Sequence, residues 1–323
     1  MSVTIGIDIG GTKIAGGLVD ETGAIVARAR RDTPSGPSSA AVAAIIAVGQ
    51  ELAGLAEDRG LGRAVGVGLG AAGLVDQTRS IVRFAPNLGD GWNEEPLADK
   101  VRAALGLPTV VENDANAAAW GEYRWGAGRG ADSMIAVTVG TGVGGGVIQS
   151  GSLMRGAYGM AAEFGHVIQV PNGLLCGCGR YGCWEQYASG SALVREAREL
   201  VVERPADASG LLALGDGSPS GISGQDVTTA AQAGNPLALL AFERIGRALG
   251  TGLADLAALF DPEAFVIGGG VSEAGNVLLD PVREAFAANL LARENRPLAR
   301  IIAAQLSNDA GLIGVAELAR EVE

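Results

Sequence analysis

The chain has very few side chains that bind soft metal ions, with one histidine and three cysteines in 323 residues. An odd number of cysteines leaves at least one thiol unpaired, which disfavours a disulfide framework. Basic residues are also scarce, because 24 lysines and arginines face 36 acidic residues and give a formal net charge of −12. This balance argues against a nucleic-acid partner and against a basic membrane patch, although backbone amides could still hold a small anion.

Long apolar runs are missing too. No stretch approaches about 18 uninterrupted apolar residues, and the opening "MSVTIGIDIGG" lacks the basic start and apolar run of a signal peptide. We therefore expect a cytoplasmic protein with no membrane partner. Hydrophobic residues make up 48% of the chain and 51 positions are glycine. This composition indicates a folded protein with many tight turns or close approaches of the backbone to a ligand.

The histidine and the cysteines all fall in one short segment, "GHVIQVPNGLLCGCGRYGCWE", residues 165–185. Scattered independently, they would lie this close together about one time in a thousand. The candidate ligands are His166, Cys176, Cys178 and Cys183. Three thiolates and an imidazole suit tetrahedral zinc, and Gly177, Gly179 and Gly182 give the backbone freedom to wrap an ion. The alternatives are buried reduced cysteines, or one disulfide with a thiol left over; we favour structural zinc.

Apolar strands and helical segments alternate along the chain, which indicates an α/β fold. Strands are predicted at 3–10, 14–20, 24–32, 63–70, 108–114 and 264–270, with later segments mostly helical and a surface loop at 216–224. Segment 134–151 echoes segment 4–23, since each is an apolar strand that breaks into a Gly/Thr turn before a second strand. This repeat predicts a duplicated α/β unit with a cleft between two lobes.

We place the domain boundary near Asp114, because no linker is visible in the sequence. The smaller lobe would comprise residues 1–114 together with the C-terminal helix 309–323, capped at Asn308 or Asp309. The larger lobe, 115–308, would carry the zinc loop 166–183.

Two glycine-rich turns are candidate phosphate-binding loops. The first, "DIGGTK", comprises Asp8, Gly10, Gly11, Thr12 and Lys13 around Ile9, and the second is "GTGVGGG" at 140–146. Glycines let backbone amides approach an anion, and the aspartate could hold a hydrated Mg²⁺ ion. Neither turn matches the Walker A or G-x-G-x-x-G pattern, and a plain hairpin is the alternative for each one alone. The pair together favours phosphate binding.

Carboxylates at three positions are candidate ligand groups. Asp114, in "ENDANAAAW", ends a predicted strand just before a helix, where the simpler interpretation is an N-cap. Beside a phosphate site, however, a carboxylate that accepts a hydroxyl proton is what phosphoryl transfer requires. Asn113 can donate and accept hydrogen bonds to a polyol. Glu163 and Glu185 flank the metal segment, where they could accept pairs of sugar hydroxyls.

Together these motifs resemble the ROK family of sugar kinases and repressors, within the actin/hexokinase-like ATPase superfamily. The segments that carry the resemblance occur in family order across essentially the whole chain: "DIGGTK", "GLVD", "END", "GTGVGGG", "EFGH", "CGCGRYGCWE" and "GGGVS". The sequence looks closest to the actinobacterial members that use ATP to phosphorylate glucose. The resemblance implies a two-lobed, ribonuclease H-like fold and phosphorylation of D-glucose at its 6-hydroxyl.

The resemblance also implies a role for each candidate residue. Asp114 would be the general base that takes the proton from the 6-hydroxyl, which then attacks the γ-phosphorus of ATP. The sugar contacts would be Gly73, Asn87, Asn113, Glu163, His166 and Glu185. The phosphates and Mg²⁺ would face Asp8, the Gly10–Thr12 turn, Thr141 and Gly142, with Gly269 and Gly270 beside the adenosine. One nitrogen of His166 would bind zinc and the other a sugar hydroxyl, so that the ion braces the imidazole.

The sequence leaves two alternatives open: a different sugar as the phosphate acceptor, and a protein that is not an enzyme. Many relatives have Pro at the position of Ala72 and Gly at that of Ala162, so mannose, fructose or an N-acetylhexosamine remains an alternative substrate. A sugar-sensing repressor is the non-enzymatic alternative, disfavoured because the first strand begins at Val3 and leaves no room for a preceding DNA-binding domain. The resemblance further implies a homodimer or homotetramer, and the cysteine-rich motif points to ATP instead of polyphosphate.

Overall fold

The computed structural model describes residues 2–322, except for the side chain of Asn87. The strands are β1 (Thr4–Ile9), β2 (Lys13–Val19), β3 (Ile25–Asp32), β4 (Val67–Ala71), β5 (Leu74–Val75), β6 (Val82–Phe84), β7 (Asn93–Glu95), β8 (Thr109–Asn113), β9 (Met134–Val139), β10 (Val143–Gln149), β11 (Ser152–Leu153), β12 (Ala264–Gly268) and β13 (Arg300–Ala303). The helices are α1 (Ser38–Asp58), α2 (Leu97–Leu105), α3 (Asp114–Trp125), α4 (Glu185–Ala188), α5 (Gly190–Glu203), α6 (Ser209–Leu212), α7 (Gly224–Gln232), α8 (Pro236–Phe260), α9 (Asn276–Asn289) and α10 (Ala310–Arg320).

Two sheets have equivalent strand orders. The first is β3-β2-β1-β4-β8 and the second is β11-β10-β9-β12-β13. In the first sheet, β1 pairs antiparallel with β2 and parallel with β4, which pairs parallel with β8. In the second sheet, β12 pairs parallel with both β9 and β13. The shared order confirms the predicted duplication of an α/β unit.

The parallel strands of each sheet bring candidate residues to one edge, because their carboxyl ends lie together. In the first sheet, Ile9 pairs with Ala71 and Ala71 with Asn113. The turns that follow β1, β4 and β8 therefore leave the sheet at the same edge. In the second sheet, Gly268 pairs with Thr138, so the turns after β9 and β12 also share an edge.

Contacts divide the chain into two compact units. The first comprises Met1–Asp132, Gly146–Ala162 and Leu306–Glu323, and the second comprises Ser133–Gly145 and Glu163–Gln305. Helix α3, which follows the boundary predicted near Asp114, belongs with the first unit, and so does α10. The domain boundary at that residue remains a prediction.

The core of the first unit lies between its sheet and α1. This helix packs on β2 and β3 and contributes Ile45, Val48 and Leu52 to the buried cluster. By length and composition alone, α1 could cross a membrane. Its apolar stripe instead packs in the core of the first unit, which accounts for the high hydropathy of the helix.

Helix α10 approaches the other face of the first sheet at glycines. It packs against α3, β1 and β4. A Cβ atom on Gly6 would lie 2.2 Å from the carbonyl oxygen of Leu312, and one on Gly68 would lie 1.9 Å from that of Val315. Since these neighbours are backbone atoms, a side chain could enter only if the helix moved away from the sheet.

We expect Gly68→Ala to lower the free energy of unfolding by about 1–3 kcal/mol, because the added methyl group overpacks this interface. Gly54→Ala in α1 is the matched control, since a Cβ there meets nothing within 4 Å. The control should raise stability by roughly 0.5–1 kcal/mol through helix propensity. Urea unfolding of both variants checks the prediction, and equal midpoints would contradict it.

Several local features differ from the sequence-based predictions. The small sheet β5-β6-β7 was not predicted, because its strands are only two or three residues long and show no alternation. Strand β13 was missed in a region predicted to be mostly helical. Strand β4 begins at Val67 instead of residue 63. The predicted cap of α10 is also wrong: Asp309 makes no side-chain cap, and its carboxylate pairs with Arg28 at 2.7 Å.

Candidate functional site

The corner between β8 and α3 holds the candidate base. The side-chain oxygen of Asn113 accepts hydrogen bonds from the amides of Ala115 (2.9 Å) and Asn116 (3.0 Å), so Asn113 is the N-cap of α3. Asp114 is the first residue of the helix, and its Oδ1 accepts from the amide of Ala115 at 2.9 Å. The N-cap interpretation of Asp114 is therefore wrong, and the cap is its neighbour. A carboxylate in the first turn is also favoured by the helix dipole.

Asn113 ties this corner to a second candidate residue. Its Nδ2 donates to the carbonyl oxygen of Gly73 at 3.1 Å. Because the side-chain oxygen of Asn113 is used by the cap, Asn113 can offer a ligand only its one remaining amide hydrogen. The sequence had suggested that this side chain would both donate to a ligand and accept from it. A Cβ on Gly73 would lie 2.5 Å from the carbonyl oxygen of Phe84, so glycine is required where this turn closes. Asn87 lies in the 3-10 turn Pro86–Leu88, and its side chain is outside the described residues.

The first phosphate-binding candidate is the tip of the β1–β2 hairpin. The amide of Gly10 donates to the carbonyl oxygen of Lys13 at 2.9 Å, and Thr33 Oγ1 donates to the carbonyl oxygen of Gly10 at 2.6 Å. Within the described chain, the amides of Gly11 and Thr12 are not used by the turn's backbone bonds, so these two can face an anion. The turn thus offers fewer donors than its glycine content suggested.

Asp8 lies beside this turn on β1. Burial raises the pKa of its carboxyl group, and the charge of Lys13 partly offsets that shift. A Cβ on Gly70, the parallel neighbour of Asp8, would lie 3.7 Å from Asp8 Oδ1. A desolvated carboxylate gains from a nearby cation, and carboxylate oxygen is a preferred ligand of Mg²⁺. The chemistry of Asp8 therefore fits a magnesium site.

The second phosphate-binding candidate is the turn between β9 and β10. The amide of Gly140 donates to the carbonyl oxygen of Gly142 at 3.0 Å, and Ser191 Oγ in α5 donates to the carbonyl oxygen of Thr141 at 2.8 Å. A Cβ on Gly142 would lie 2.3 Å from Glu185 Oε2. The absence of a side chain at Gly142 thus lets a candidate phosphate turn lie against a candidate sugar ligand.

Gly269 and Gly270 follow β12 at the same edge of the second sheet. Gly269 has a φ of 84°, and a Cβ there would lie 2.5–2.7 Å from backbone atoms of Val139. Ser272 Oγ donates to its carbonyl oxygen at 2.7 Å. Glycine is therefore required at residue 269 by both conformation and space. The structure places this turn next to the end of β9, where the Gly140–Gly142 turn begins.

The candidate metal ligands come together as predicted. One ligand atom from each of the four residues lies within 4.8 Å of the others. His166 Nδ1 is 3.6 Å from Cys176 Sγ, and Cys178 Sγ is 3.6 Å from Cys183 Sγ. Zn–S bonds of about 2.3 Å at tetrahedral angles would put two sulfurs about 3.8 Å apart. All three cysteines are free, so the disulfide alternative is wrong, and the donor set fits a zinc ion.

The thiols are arranged so that an ion must displace their protons. Burial raises the pKa of the Cys176 thiol to about 12, reinforced by its hydrogen bond to Glu185 Oε1 (2.8 Å). Burial likewise raises the pKa of Cys183. Burial alone would raise the pKa of Cys178 as well, but the Arg180 amide and the neighbouring thiols outweigh it and lower that pKa. Metal binding at such a site releases protons, because the thiolate is the ligand.

The loop that carries these ligands is anchored to α8 by a residue that the sequence analysis missed. Trp184, between Cys183 and Glu185, is 3% exposed and donates from Nε1 to the carbonyl oxygen of Ala248 at 2.9 Å. A Cβ on Gly252 would lie 2.2 Å from its ring. The signal was present, since tryptophan in a polar, glycine-rich segment must bury its ring somewhere.

Two of the three glycines in the loop have the conformational role predicted for them. Gly179 and Gly182 have φ values of 84° and 82°. A Cβ on Gly182 would also lie 1.8 Å from the carbonyl oxygen of Val170. Gly177 does not have a positive φ, and a Cβ there would meet nothing within 4 Å. Neither the backbone conformation of Gly177 nor the space around it requires glycine, so the prediction that this residue is needed to wrap the ion is not supported.

Glu163 lies at the start of the turn that leads to His166. Burial raises the pKa of its carboxyl group; the imidazole of His166 opposes this shift and Glu185 adds to it. The residue before it, Ala162, has a φ of 72°, which costs an L-residue about 1–2 kcal/mol. The position where many relatives have glycine is thus a left-handed one. A desolvated carboxylate here gains from hydroxyl donors of the kind that a sugar supplies.

Comparisons with known proteins identify relatives over nearly the whole chain. The model of the ROK family matches residues 4–322. A glucokinase of Streptomyces coelicolor is 52% identical over 322 residues, which cover 99% of this chain and 98% of that protein. A glucokinase of Halalkalibacterium halodurans is 38% identical over 320 residues, with 99% and 95% coverage. The crystal structure of a ROK family glucokinase from Streptomyces griseus in complex with glucose and AMPPNP is 54% identical, has a TM-score of 0.88 and covers 99% of this chain and 100% of its own.

The chain belongs to the ROK family. The predicted resemblance is thereby confirmed over nearly the full length of the chain. The α/β fold class is confirmed as well, since the structural neighbours are ROK sugar kinases with the same duplicated architecture.

Proposed function

We propose that the chain is an ATP-dependent glucokinase, which transfers the γ-phosphoryl group of ATP to the 6-hydroxyl of D-glucose and releases ADP. The single observation that carries this proposal is Asp114, placed at a strand-to-helix corner whose capping is done by Asn113, in a chain related over its whole length to glucokinases. Because Asn113 supplies the cap, the carboxylate of Asp114 is not needed for that structural role. A repressor would have no use for a base at this corner.

The proposed reaction needs one proton acceptor and donors for the phosphates. Asp114 accepts the proton of the 6-hydroxyl as the oxygen attacks the γ-phosphorus, and the bond from that phosphorus to the bridging oxygen of ADP breaks. The Gly10–Thr12 and Thr141–Gly142 turns hold the phosphates through backbone amides and hydroxyls. Gly269 and Gly270 lie beside the adenosine.

The remaining candidate residues hold the sugar. We assign Gly73, Asn87, Asn113, Glu163, His166 and Glu185 to its other hydroxyls. His166 presents Nδ1 to the cysteines, which leaves Nε2 for the sugar. The carboxylates of Glu163 and Glu185 accept hydrogen bonds from pairs of hydroxyls, which orients the ring and brings the 6-hydroxyl toward the base.

Two metal ions belong to the proposal. Mg²⁺ at Asp8 would neutralise phosphate charge in the manner general to phosphoryl transfer. Zn²⁺ held by His166, Cys176, Cys178 and Cys183 would fix the tautomer and orientation of the imidazole, and its four protein ligands exclude a role in activating water. We further propose a cytoplasmic homodimer or homotetramer, which sedimentation analysis of the purified protein would resolve.

A sugar panel tests the proposed substrate. With Mg²⁺ and ATP, we expect kcat/KM for glucose to exceed that for mannose, fructose and N-acetylated hexosamines, by roughly 10-fold or more where a pocket contact is lost. A higher value for an N-acetylated sugar would overturn the glucose assignment and keep the kinase. No turnover with any hexose would overturn the kinase itself.

A further inference from the structure

The strand that leads into the candidate base contains a buried carboxylate with no role in the proposed chemistry. Glu112 is the fourth residue of β8, two positions before Asp114, and its side chain is 0% exposed. A buried carboxylate is costly unless partners compensate its charge. A glutamate in the middle of an apolar strand is therefore present for a specific interaction.

One oxygen of Glu112 holds the strand-to-helix corner. Oε1 accepts from the backbone amide of Asn113 at 3.0 Å and from Asn116 Nδ2 at 3.3 Å. The first of these partners is the N-cap of α3, and the second lies in its first turn. The carboxylate thus holds the backbone before Asp114 and the side chain of Asn116 after it.

The other oxygen is held by two arginines from outside the strand. Oε2 forms ion pairs with Arg79 Nε at 3.0 Å and with Arg155 Nε at 2.7 Å. The side chains of these arginines are 22% and 11% exposed. Charge pairs this well shielded from solvent are held more rigidly than surface pairs, and removal of one partner is strongly destabilising.

Both arginines are tied to the loop 76–81, which joins β5 to β6 in the hairpin that begins directly after Gly73. Arg155 donates from Nη1 to the carbonyl oxygen of Gln77 (2.7 Å) and from Nη2 to that of Asp76 (2.9 Å). Arg79 lies in this loop with a φ of 58°, and its carbonyl oxygen accepts from the amide of Val111 in β8 at 2.8 Å. The loop and the strand are therefore linked through both backbone and side chains.

We propose that Glu112 is a positioning residue for the reaction, because it fixes the corner of Asn113 and Asp114 against the β5–β6 hairpin that begins after Gly73, while Arg79 and Arg155 fix Glu112. This inference rests on the proposed function, in which Asp114 is the base and Gly73 a sugar contact. Asn113 already joins the two segments through Gly73 at one end. The arginine pair joins them at the other end, so the base and the sugar contact are held by one network.

Two substitutions at residue 112 separate positioning from stability. Glu112→Gln removes the charge, so we expect kcat to fall by about 10- to 100-fold and the KM for glucose to rise, since small displacements of reacting groups have effects of this size. The KM for ATP should stay unchanged. Glu112→Asp keeps the negative charge that the two arginines need but withdraws the carboxylate by about 1.5 Å. It should restore the melting temperature and leave kcat low.

The control is Arg83→Gln on β6, which removes an arginine whose ion pair with Glu94 is exposed and should leave all kinetic constants unchanged. Activity that returns together with stability in Glu112→Asp, or a glucose KM and kcat within twofold of wild type in folded Glu112→Gln, would overturn the inference.

If Glu112→Gln does not fold, Arg155→Lys provides the test. This variant keeps the positive charge but loses the paired hydrogen bonds to the carbonyl oxygens of Asp76 and Gln77. Wild-type kinetic constants in this variant would overturn the inference. Absence of glucose phosphorylation by the wild-type enzyme would instead refute the proposed function.

Discussion

Asp114→Asn is expected to lower kcat for glucose phosphorylation by about 10²- to 10⁴-fold, the usual contribution of a general base. Asparagine has almost the same shape but cannot accept the proton of the 6-hydroxyl. The helix should remain capped, because the cap is the side chain of Asn113. Glucose should therefore bind with nearly the wild-type dissociation constant. Steady-state kinetics and titration calorimetry with glucose measure the two quantities.

Asp99→Asn provides a matched control for this substitution. Asp99 is also an aspartate in the first turn of a helix, α2, and its exposed carboxylate pairs with Arg102. The same chemical change there should leave kcat and glucose affinity unaltered, since exposed ion pairs contribute little. Substantial turnover by Asp114→Asn would show that Asp114 is not the general base. Loss of glucose binding in the same variant would contradict the role as well, because it would show that Asp114 acts in binding.

Cys178→Ser should remove zinc and weaken glucose binding together. Cys178 is the exposed member of the ligand set, so the substitution creates no cavity in the core. Changes in the outer shell of a zinc site typically cost about 10- to 100-fold in metal affinity or activity, and loss of a ligand should cost at least as much. We expect zinc content to fall and kcat/KM for glucose to drop by about tenfold or more.

Leu175→Ala separates the metal from the loop itself. Leu175 lies in the same loop and is 60% exposed, but it offers no ligand atom. Its variant should keep both zinc and the wild-type KM for glucose. A Cys178→Ser protein that lacks zinc and yet keeps that KM would show that the ion does not support the sugar site. Elemental analysis and kinetics on the same samples give the comparison.

The parts of the fold that follow from local chemistry could be predicted from the sequence. The repeat of strand, Gly/Thr turn and strand predicted the duplicated sheet, because a glycine-rich turn after an apolar run shows where the strand ends. The cluster of candidate metal ligands could be predicted equally well, because rare residue types close together in sequence need little folding to meet. The four atoms indeed lie within 4.8 Å of one another.

Features that depend on contacts distant in sequence could not be predicted. Glu112 appeared only as the first letter of "END", because its arginine partners lie 33 and 43 residues away. Its signal was a charge inside an apolar strand, which is rare without a partner. The alternative that Asp114 caps α3 is wrong, since Asn113 and Asp114 are both good caps and only the backbone decides between them. Asp309 was misassigned because Arg28 competes for its carboxylate.

The most direct test of the proposed reaction is phosphorus NMR of the purified wild-type protein with glucose, Mg²⁺ and ATP, on a sample whose zinc has been quantified. We predict that the γ-phosphoryl signal of ATP is replaced by that of glucose 6-phosphate, with one ADP formed for each sugar phosphate, in protein that holds about one zinc ion per chain. Hydrolysis of ATP without a sugar phosphate, or phosphate on a hydroxyl other than the sixth, would contradict the placement of glucose against Asp114.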